Sequence, residues 1–420
     1  MSHAESQSIA RNRRALLEQF ASPPQVSLGG PDRNWRQRFR RNLRNWYNRH
    51  ARDLPWRRTA DPYRIWISEI MLQQTTIAAV VPYFERFLNR FPSVHELAAA
   101  SEAEVLRFWE GLGYYSRARN LHRTALRIVD EHSGRFPDDV ETLQAYPGIG
   151  RYTAGAIASF AFDVRAPIVE ANTLRLYSRL LGYDGDPRSS RGQRVLWEFA
   201  EHILPRQSPG RFNQALIELG GTVCTPVDPR CAGCPVRSCC RALSEGTQAK
   251  IPRPPSRPEI IQSTEATVAV RKGTRYLLRR RGEGELWAGL WDFPRISLAN
   301  EKALLSRSFS RTSSASGHRP HSRKICRTLE AGIIEQTGII AEIGEMATEI
   351  RHSVTRYRIH LLCFLAEHRG GSLDKTRELI WVKPADFGDY PLPVTGRKFA
   401  KLLERTELGE VTDLGDCKLS

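Results

Sequence analysis

The sequence has no apolar run near the ~18 residues that a membrane-spanning helix requires. Its longest candidate, Ala154 to Phe162, is broken by Gly155 and Ser159. Residues 1–30 also lack the continuous apolar core of a secretory signal, which argues against export. Acid is in short supply. Asp plus Glu number 46 against 63 Lys plus Arg, and the resulting formal charge of +17 points to a polyanionic partner, nucleic acid first. Cysteine is sparse outside one segment: five of the eight lie between Cys224 and Cys240, whereas a secreted disulfide framework would spread them. A reducing, intracellular setting is expected, cytoplasmic and nucleoid-associated in a bacterium. The 420 residues are 40% hydrophobic, enough for a soluble chain of two or three domains with sizeable cores.

Residues 1–32 read as a flexible polar tail. A basic amphipathic helix then begins, with Trp35, Phe39, Leu43, Trp46 and Tyr47 at helical spacing. Ten arginines lie between Arg33 and Arg58 beside one acid, Asp53, an excess that favours phosphate contact over a merely solvated face. From Asp61 to about Leu243 the signals are helical: Asp61-Pro62 as cap and first turn, and capping boxes at Ser93-x-x-Glu96 and Ser101-x-x-Glu104. The second of these opens a helix that stops near Gly111 and Gly113. The Pro-rich stretch Lys250 to Pro258 can continue neither a helix nor a central strand, so a linker and domain boundary are expected there. Beyond it the period becomes extended, with a hairpin from Thr267–Val270 through Lys272-Gly273 to Tyr276–Leu278. A mobile loop over Ser306 to Ser322, a helix over Lys324 to Thr337, and strands around Ile350 and over Tyr357 to Leu365 complete an α+β domain.

Two segments carry chemistry of their own. Cys224, Cys231, Cys234 and Cys240 are separated by six, two and five residues on one tight run. Structural zinc modules usually pair two short Cys-x-x-Cys knuckles, and this single run suits a cubane [4Fe–4S] cluster better. Cys239 could replace Cys240 as the fourth ligand, while Cys326, Cys363 and Cys417 read as isolated thiols. The segment Tyr146-Pro-Gly148-Ile-Gly150-Arg-Tyr152-Thr-Ala-Gly-Ala is a glycine-rich turn opening a small-residue helix. Gly148 and Gly150 let backbone approach a phosphate closely, and the helix N-terminus supplies unpaired N–H groups, as in a helix-hairpin-helix clamp on DNA.

These segments, with Leu54-Pro-Trp-Arg57, Trp66-Ile-Ser-Glu-Ile-Met-Leu-Gln-Gln-Thr75 and Glu110-Gly-Leu-Gly-Tyr-Tyr-Ser-Arg-Ala-Arg-Asn120, resemble the A/G-specific adenine glycosylases of the MutY family. They occur in the family's order over most of residues 35–245. Leu290-Trp-Asp-Phe-Pro294 and Tyr390-Pro-Leu-Pro-Val-Thr-Gly-Arg397 more loosely resemble that family's Nudix-like recognition domain. The fold implied is multidomain: an all-α helix-hairpin-helix glycosylase domain over 33–245, a linker over 246–262, and an α+β Nudix-like domain over 263–405. Within the first, a six-helix barrel spans about 62–163 and a cluster-binding part comes from 33–61 and 164–245. Residues 406–420 form a tail.

The resemblance implies a monofunctional glycosylase that removes adenine paired with 8-oxoguanine or guanine, acting as a monomer on double-stranded DNA and carrying one [4Fe–4S] cluster. Glu69 becomes the catalytic acid, since adenine is a poor leaving group until its ring, most simply at N7, is protonated. Gln73, Gln74 and Thr75 enter the duplex, and Tyr114 wedges at the opposing base. The sugar's developing positive charge calls for an anion. The family's Asp-Gly-Asn is here Glu170-Ala171-Asn172, so Glu170 keeps the carboxylate with one more methylene, and Asn172 positions it, the water or the sugar. Where endonuclease III relatives carry a Schiff-base Lys, this chain has Tyr152, a catalytic position at which no lyase step is expected. Glu218 is implied near the flipped adenine. In the second domain only Glu335 is close to Nudix register, which argues against nucleotide hydrolysis. The family's Phe-Ser-His loop aligns with Val354-Thr355-Arg356, leaving Thr355 the hydroxyl to read the lesion. Two rivals remain: an endonuclease III-like enzyme acting on oxidised pyrimidines, and a non-catalytic lesion-binding protein.

Overall fold

The computed structural model describes residues 31–254, 259–298 and 323–408. Most of the expected tails 1–32 and 406–420, the loop 306–322, part of the Pro-rich linker, and Cys417 lie outside the described residues. The described residues divide into two compact units, one within Met1–Arg52 and Arg165–Arg253, the other within Asp53–Val164 and Pro254–Ser420.

The first unit is helical. Asp32 caps the helix Arg33–His50 by accepting from the Trp35 amide at 2.7 Å. That helix buries Phe39, Leu43, Trp46 and Tyr47 against Tyr177, Leu196, Leu216 and Leu219 of three further helices, Ala171–Leu181, Ser190–Ile203 and Pro209–Thr222. Not every arginine of the basic helix faces outward: Arg40 donates to the carbonyls of Ile203 and Leu204 at 2.8 and 3.0 Å, satisfying orphan acceptors at a helix end. Two short 3₁₀ turns, Cys231–Gly233 and Arg237–Cys239, and the helix Arg241–Ser244 complete the unit.

The second unit begins with seven helices, Pro62–Leu72, Ile77–Arg90, Val94–Ala99, Glu102–Trp109, Ser116–His132, Val140–Gln144 and Arg151–Phe162. Asp61, Ser93 and Ser101 cap three of them as their spacing predicts. Pro62–Leu72 is buried on nearly every side, from Tyr63 through Met71, as befits a central helix rather than an amphipathic surface one. It packs on Arg151–Phe162, where Ala154, Gly155, Ala156 and Ala158 keep the approach close.

Among the described residues, the rest of this unit holds a seven-stranded mixed sheet with two helices packed on it: β1 Ile261–Lys272, β2 Arg275–Arg280, β3 Trp291–Asp292, β4 Arg295–Ser297, β5 Ile339–Val354, β6 Tyr357–Gly371 and β7 Leu379–Val382. The main path runs β3-β2-β1-β6-β5, with β4 on β1 and β7 on β2. The expected hairpin forms at Lys272↔Arg275. The long β1–β6 pairing is parallel, from Ile261↔Tyr357 to Arg271↔Glu367. Alternation along β1 serves two cores: Ala269 meets Phe399 and Leu403 of helix Val394–Glu407, while Val268 and Val270 meet Leu329 and Ile333 of helix Arg323–Thr337.

Candidate active site

Glu69 sits in mid-helix within Pro62–Leu72 and is only 6% exposed. A buried carboxyl is costly without partners. One partner is the phenol of Tyr152, in the first turn of Arg151–Phe162, which donates to Glu69 Oε2 at 2.7 Å. Gln73 caps the same helix at its C-terminal end, and its Nε2 lies 3.5 Å from Thr153 Oγ1. Gln74 is exposed and holds a φ of 60°, and Thr75 donates to the Gln73 carbonyl at 3.4 Å. The three residues expected to enter a duplex therefore form one turn directly after the Glu69 helix.

Arg117, which sequence reasoning passed over inside the Ser116-Arg-Ala-Arg119 motif, organises this turn. Its Nη1 donates to the carbonyls of Ile70 at 2.7 Å, Met71 at 3.2 Å and Gln73 at 2.5 Å. Its Nη2 donates to those of Leu112 and Gly113, both at 3.2 Å. The guanidinium also lies 5.6 Å from the ring centre of Tyr114. Burial lowers its pKa to about 10. One side chain thus ties the end of the Glu69 helix to the loop that presents Tyr114, which is 44% exposed at a φ of 48°. Tyr115 is buried.

The hairpin Ala145–Gly150 joins Val140–Gln144 to Arg151–Phe162. Gly148 has a φ of +80°, and a Cβ there would come within 2.9 Å of Asn120 Cβ, so only glycine fits without a shift. Gly148 and Gly150 are both exposed. Thr124 fixes the hairpin from behind by donating to the Pro147 carbonyl at 2.9 Å. Between hairpin and Glu69 helix lies a small cavity lined by Trp66, Ile70, Gln73, Arg117, Asn120 and Gly148, among others.

In the other unit, Glu170 caps the helix Ala171–Leu181. Its Oε1 accepts from Thr173 N at 2.8 Å, and its Oε2 accepts from Asn172 N at 2.9 Å and Asn172 Nδ2 at 3.2 Å. Burial raises the Glu170 pKa, with the two backbone donors opposing it. Asn172 in turn accepts from Arg175 Nη2 at 2.9 Å. Glu218 is fully buried and paired bidentately with Arg52 at 2.6 and 3.0 Å. Arg52 belongs to the basic stretch, where nothing in sequence sets it apart from its neighbours.

Cys224, Cys231, Cys234 and Cys240 line one small cavity in this unit, together with Leu176, Leu180 and Val236. Burial raises the Cys234 thiol to about 12, opposed by a bond to the Val236 backbone, with the other three thiols adding to the rise. Arg179 lies over the group, its Nη1 3.3 Å from Cys224 Sγ. Cys239 is instead part of the apolar core, and Trp35 Nε1 donates to its carbonyl at 3.2 Å. Among the described residues no three His, Cys, Asp or Glu side chains gather closely enough to hold a single metal ion. The donor set, four soft thiols around an apolar cavity with an arginine beside it, fits an iron–sulfur cluster.

Thr355 stands alone in the turn between β5 and β6, exposed, with a φ of 49°. Its hydroxyl donates to the Val354 carbonyl at 2.8 Å. Among the described residues no helix is long and apolar enough to cross a membrane.

Two family models match. Residues 67–202 match the HhH-GPD superfamily base excision DNA repair proteins, and residues 266–402 match the NUDIX domain. The chain is 38% identical to a mouse adenine DNA glycosylase over 340 residues, 69% of this chain and 65% of that protein. It is 35% identical over 268 residues to an adenine DNA glycosylase of Buchnera aphidicola, 64% of this chain and 76% of that protein. The human adenine DNA glycosylase is 37% identical over 313 residues, 57% of its own length. The chain therefore spans under two thirds of the mammalian relatives it matches.

Proposed function

This chain belongs to the adenine DNA glycosylase family, and from that premise we propose that it excises adenine from DNA where adenine is mispaired with 8-oxoguanine or guanine. The observation that carries the reading is the buried Glu69 carboxyl bonded to Tyr152 beside the clamp hairpin. Adenine must leave the stack before any side chain can reach its glycosidic bond, so Gln73, Gln74 and Thr75 enter the duplex and Tyr114 wedges at the opposing base. Protonated Glu69 gives its proton to the adenine ring, and Tyr152 orients the carboxyl through the bond to Oε2. As the bond to the base breaks, the sugar becomes positive. Glu170 supplies the compensating anion, and Asn172, held by Arg175, orients it or the attacking water. No amine stands at position 152, so the reaction ends at base release without strand cleavage.

Gly148 and Gly150 present backbone to the phosphates, and the basic helix Arg33–His50 adds sequence-independent attraction. Glu218 keeps the second carboxylate assigned to adenine, oriented by Arg52. Cys224, Cys231, Cys234 and Cys240 would hold one [4Fe–4S] cluster, which, when bound, supplies cross-linking rather than bond-breaking chemistry. Thr355 faces the opposing base. We assign residues 33–245 to the glycosylase domain, 246–262 to the linker and 263–405 to the recognition domain, in a monomer working in the cytoplasm.

The test is single-turnover base release on duplexes containing 8-oxoguanine:adenine, guanine:adenine and thymine glycol. Release of adenine from the first two and no release of thymine glycol is expected. Release of oxidised pyrimidine, or binding without release, would overturn the reading in favour of one of the two rivals.

A further inference from the structure

The loop that presents Tyr114 is held from two sides. Arg117 grips its backbone from the Glu69 side, as described. On the other side stands Arg397, in the first turn of helix Val394–Glu407, some 280 residues away in sequence but in the same compact unit. Its Nε donates to Glu110 Oε1 at 2.7 Å and its Nη2 to Glu110 Oε2 at 3.0 Å. The remaining donors are also used, Nη1 to the Phe387 carbonyl at 2.7 Å and Nη2 to the Tyr390 carbonyl at 2.6 Å. The Leu392 amide adds a bond to Glu110 Oε2 at 3.3 Å. Both side chains are withdrawn from solvent, at 15% and 11% exposure, so the pair is little screened.

Glu110 is not a neutral anchor point. It ends the helix Glu102–Trp109 and begins the stretch Glu110-Gly-Leu-Gly-Tyr-Tyr115, in which Gly111 and Gly113 adopt φ of 100° and 72°. Three residues, two of them glycines, separate the ion pair from Tyr114, whose own φ of 48° is a conformation that a tyrosine takes only when its surroundings impose it. A bidentate guanidinium–carboxylate pair fixes both direction and distance, which a single hydrogen bond would not.

We infer that the Arg397–Glu110 pair is a positioning clamp through which the sheet-bearing recognition domain sets the conformation of the Tyr114 loop. Arg397 is thus a positioning residue for opposing-base recognition and touches no substrate. The inference rests on the glycosylase reading above, in which Tyr114 is the wedge. It assigns the second domain a role besides reading the lesion: it loads the wedge.

A double-mutant cycle tests this. Arg397→Ala should slow single-turnover adenine release from 8-oxoguanine:adenine by about tenfold in the wild-type background, and by less than about twofold in the Tyr114→Ala background, because residues acting as one unit are not additive. An equal factor in both backgrounds would overturn the clamp, since a merely structural lesion multiplies whatever else is done. Should Arg397→Ala fail to fold, Arg397→Lys and Glu110→Gln are read by the same criterion. If the wild-type protein releases no adenine, the glycosylase reading fails and amide exchange still decides the clamp. Faster exchange over residues 111–115 in Arg397→Ala, with the hairpin 146–150 unchanged, supports it, and unchanged exchange in both overturns it.

Discussion

Tyr152 donates to Oε2 of Glu69 across two packed helices at 2.7 Å. In the proposed mechanism a carboxyl oxygen that accepts from a phenol is the poorer seat for the transferable proton. The phenol also restrains the carboxyl in one rotamer, much as second-shell donors restrain metal-bound histidines. The pair binds chemistry to fold, because Tyr152 lies in the first turn of the helix that the clamp hairpin opens.

Glu69→Gln should therefore abolish adenine release while leaving duplex binding intact, since it removes the proton and keeps the shape. Tyr152→Phe should slow release by roughly tenfold, about 1.4 kcal/mol, the worth of one hydrogen bond to a charged group at the low end. Single-turnover rates and a gel-shift binding constant for each variant check both. A Glu69→Gln rate equal to wild type would remove Glu69 from the mechanism.

The purified chain should be brown, with about four irons per molecule and a broad absorbance near ~400 nm. Cys240→Ser should lose that colour and Cys239→Ser should keep it, because Cys240 lines the thiol cavity and Cys239 is packed in the core. Iron analysis of the two variants separates them. Stoichiometric zinc in the wild-type protein would sink the assignment.

What the sequence made legible was mostly local. Asp61, Ser93 and Ser101 cap helices because a short polar side chain needs to reach only two or three residues ahead. The hairpin at Lys272 was readable for the same reason. The parallel pairing of β1 with β6 was not, because its partners are about 96 residues apart and periodicity carries no information on pairing. The choice between Cys239 and Cys240 was equally closed to spacing, since it turns on which thiol faces the core. Arg117 was invisible as an organiser because its acceptors are backbone carbonyls, which every residue has, and Arg397 because nothing local links it to Glu110, 287 residues away. The Arg52–Glu218 pair was hidden among ten arginines with nothing to distinguish one.

Arg117→Ala should be among the most destabilising single changes. It removes a donor from five carbonyls at the junction of the Glu69 helix and the Tyr114 loop, of which those of Gln73 and Gly113 keep another donor, Thr75 Oγ1 and Trp109 Nε1, at a cost on the order of 3 kcal/mol and several degrees in melting midpoint. Arg117→Lys should recover little, because an ammonium cannot reach both groups of acceptors at once. Thermal unfolding of the two variants decides it, and a lysine variant as stable as wild type would show that charge, not the fork, matters here.

Glu170 combines a cap with a charge, and the two can be separated. Glu170→Asp should keep both within a few-fold of the wild-type rate, since Asp is among the best N-caps. Glu170→Gln should keep most of the cap and lose the anion, lowering adenine release by at least about tenfold. Burial holds the folded-state pKa above the ordinary 4.5. The folded protein therefore binds this proton more tightly than the unfolded chain. The resulting stabilisation is complete below the ordinary value and is lost as pH rises through the folded one. Urea titrations of Glu170→Gln across that range should show the slope flattened.

Thr355 occupies the first position of a two-residue hairpin turn at a φ of 49°, where a β-branched residue is strained and Asn or Gly would be at ease. Its hydroxyl is spent on the Val354 carbonyl in the DNA-free state. Strain kept at an exposed turn tip is a reason to look for function there. If the hydroxyl turns outward to the lesion, Thr355→Ala should reduce the preference for 8-oxoguanine over guanine by about 1 kcal/mol, the net worth of one hydrogen bond. Thr355→Asn should relax the turn, raising stability by a few tenths of a kcal/mol, without restoring the preference. Arg356→Ala should weaken both duplexes alike and lower the salt dependence of binding by about one phosphate contact. Binding constants for both duplexes at two salt concentrations read the changes in preference and salt dependence, and thermal unfolding reads the stability of Thr355→Asn. A preference unchanged in Thr355→Ala would move lesion reading away from this turn, to the helical part of the same unit around Tyr114 and Gln74.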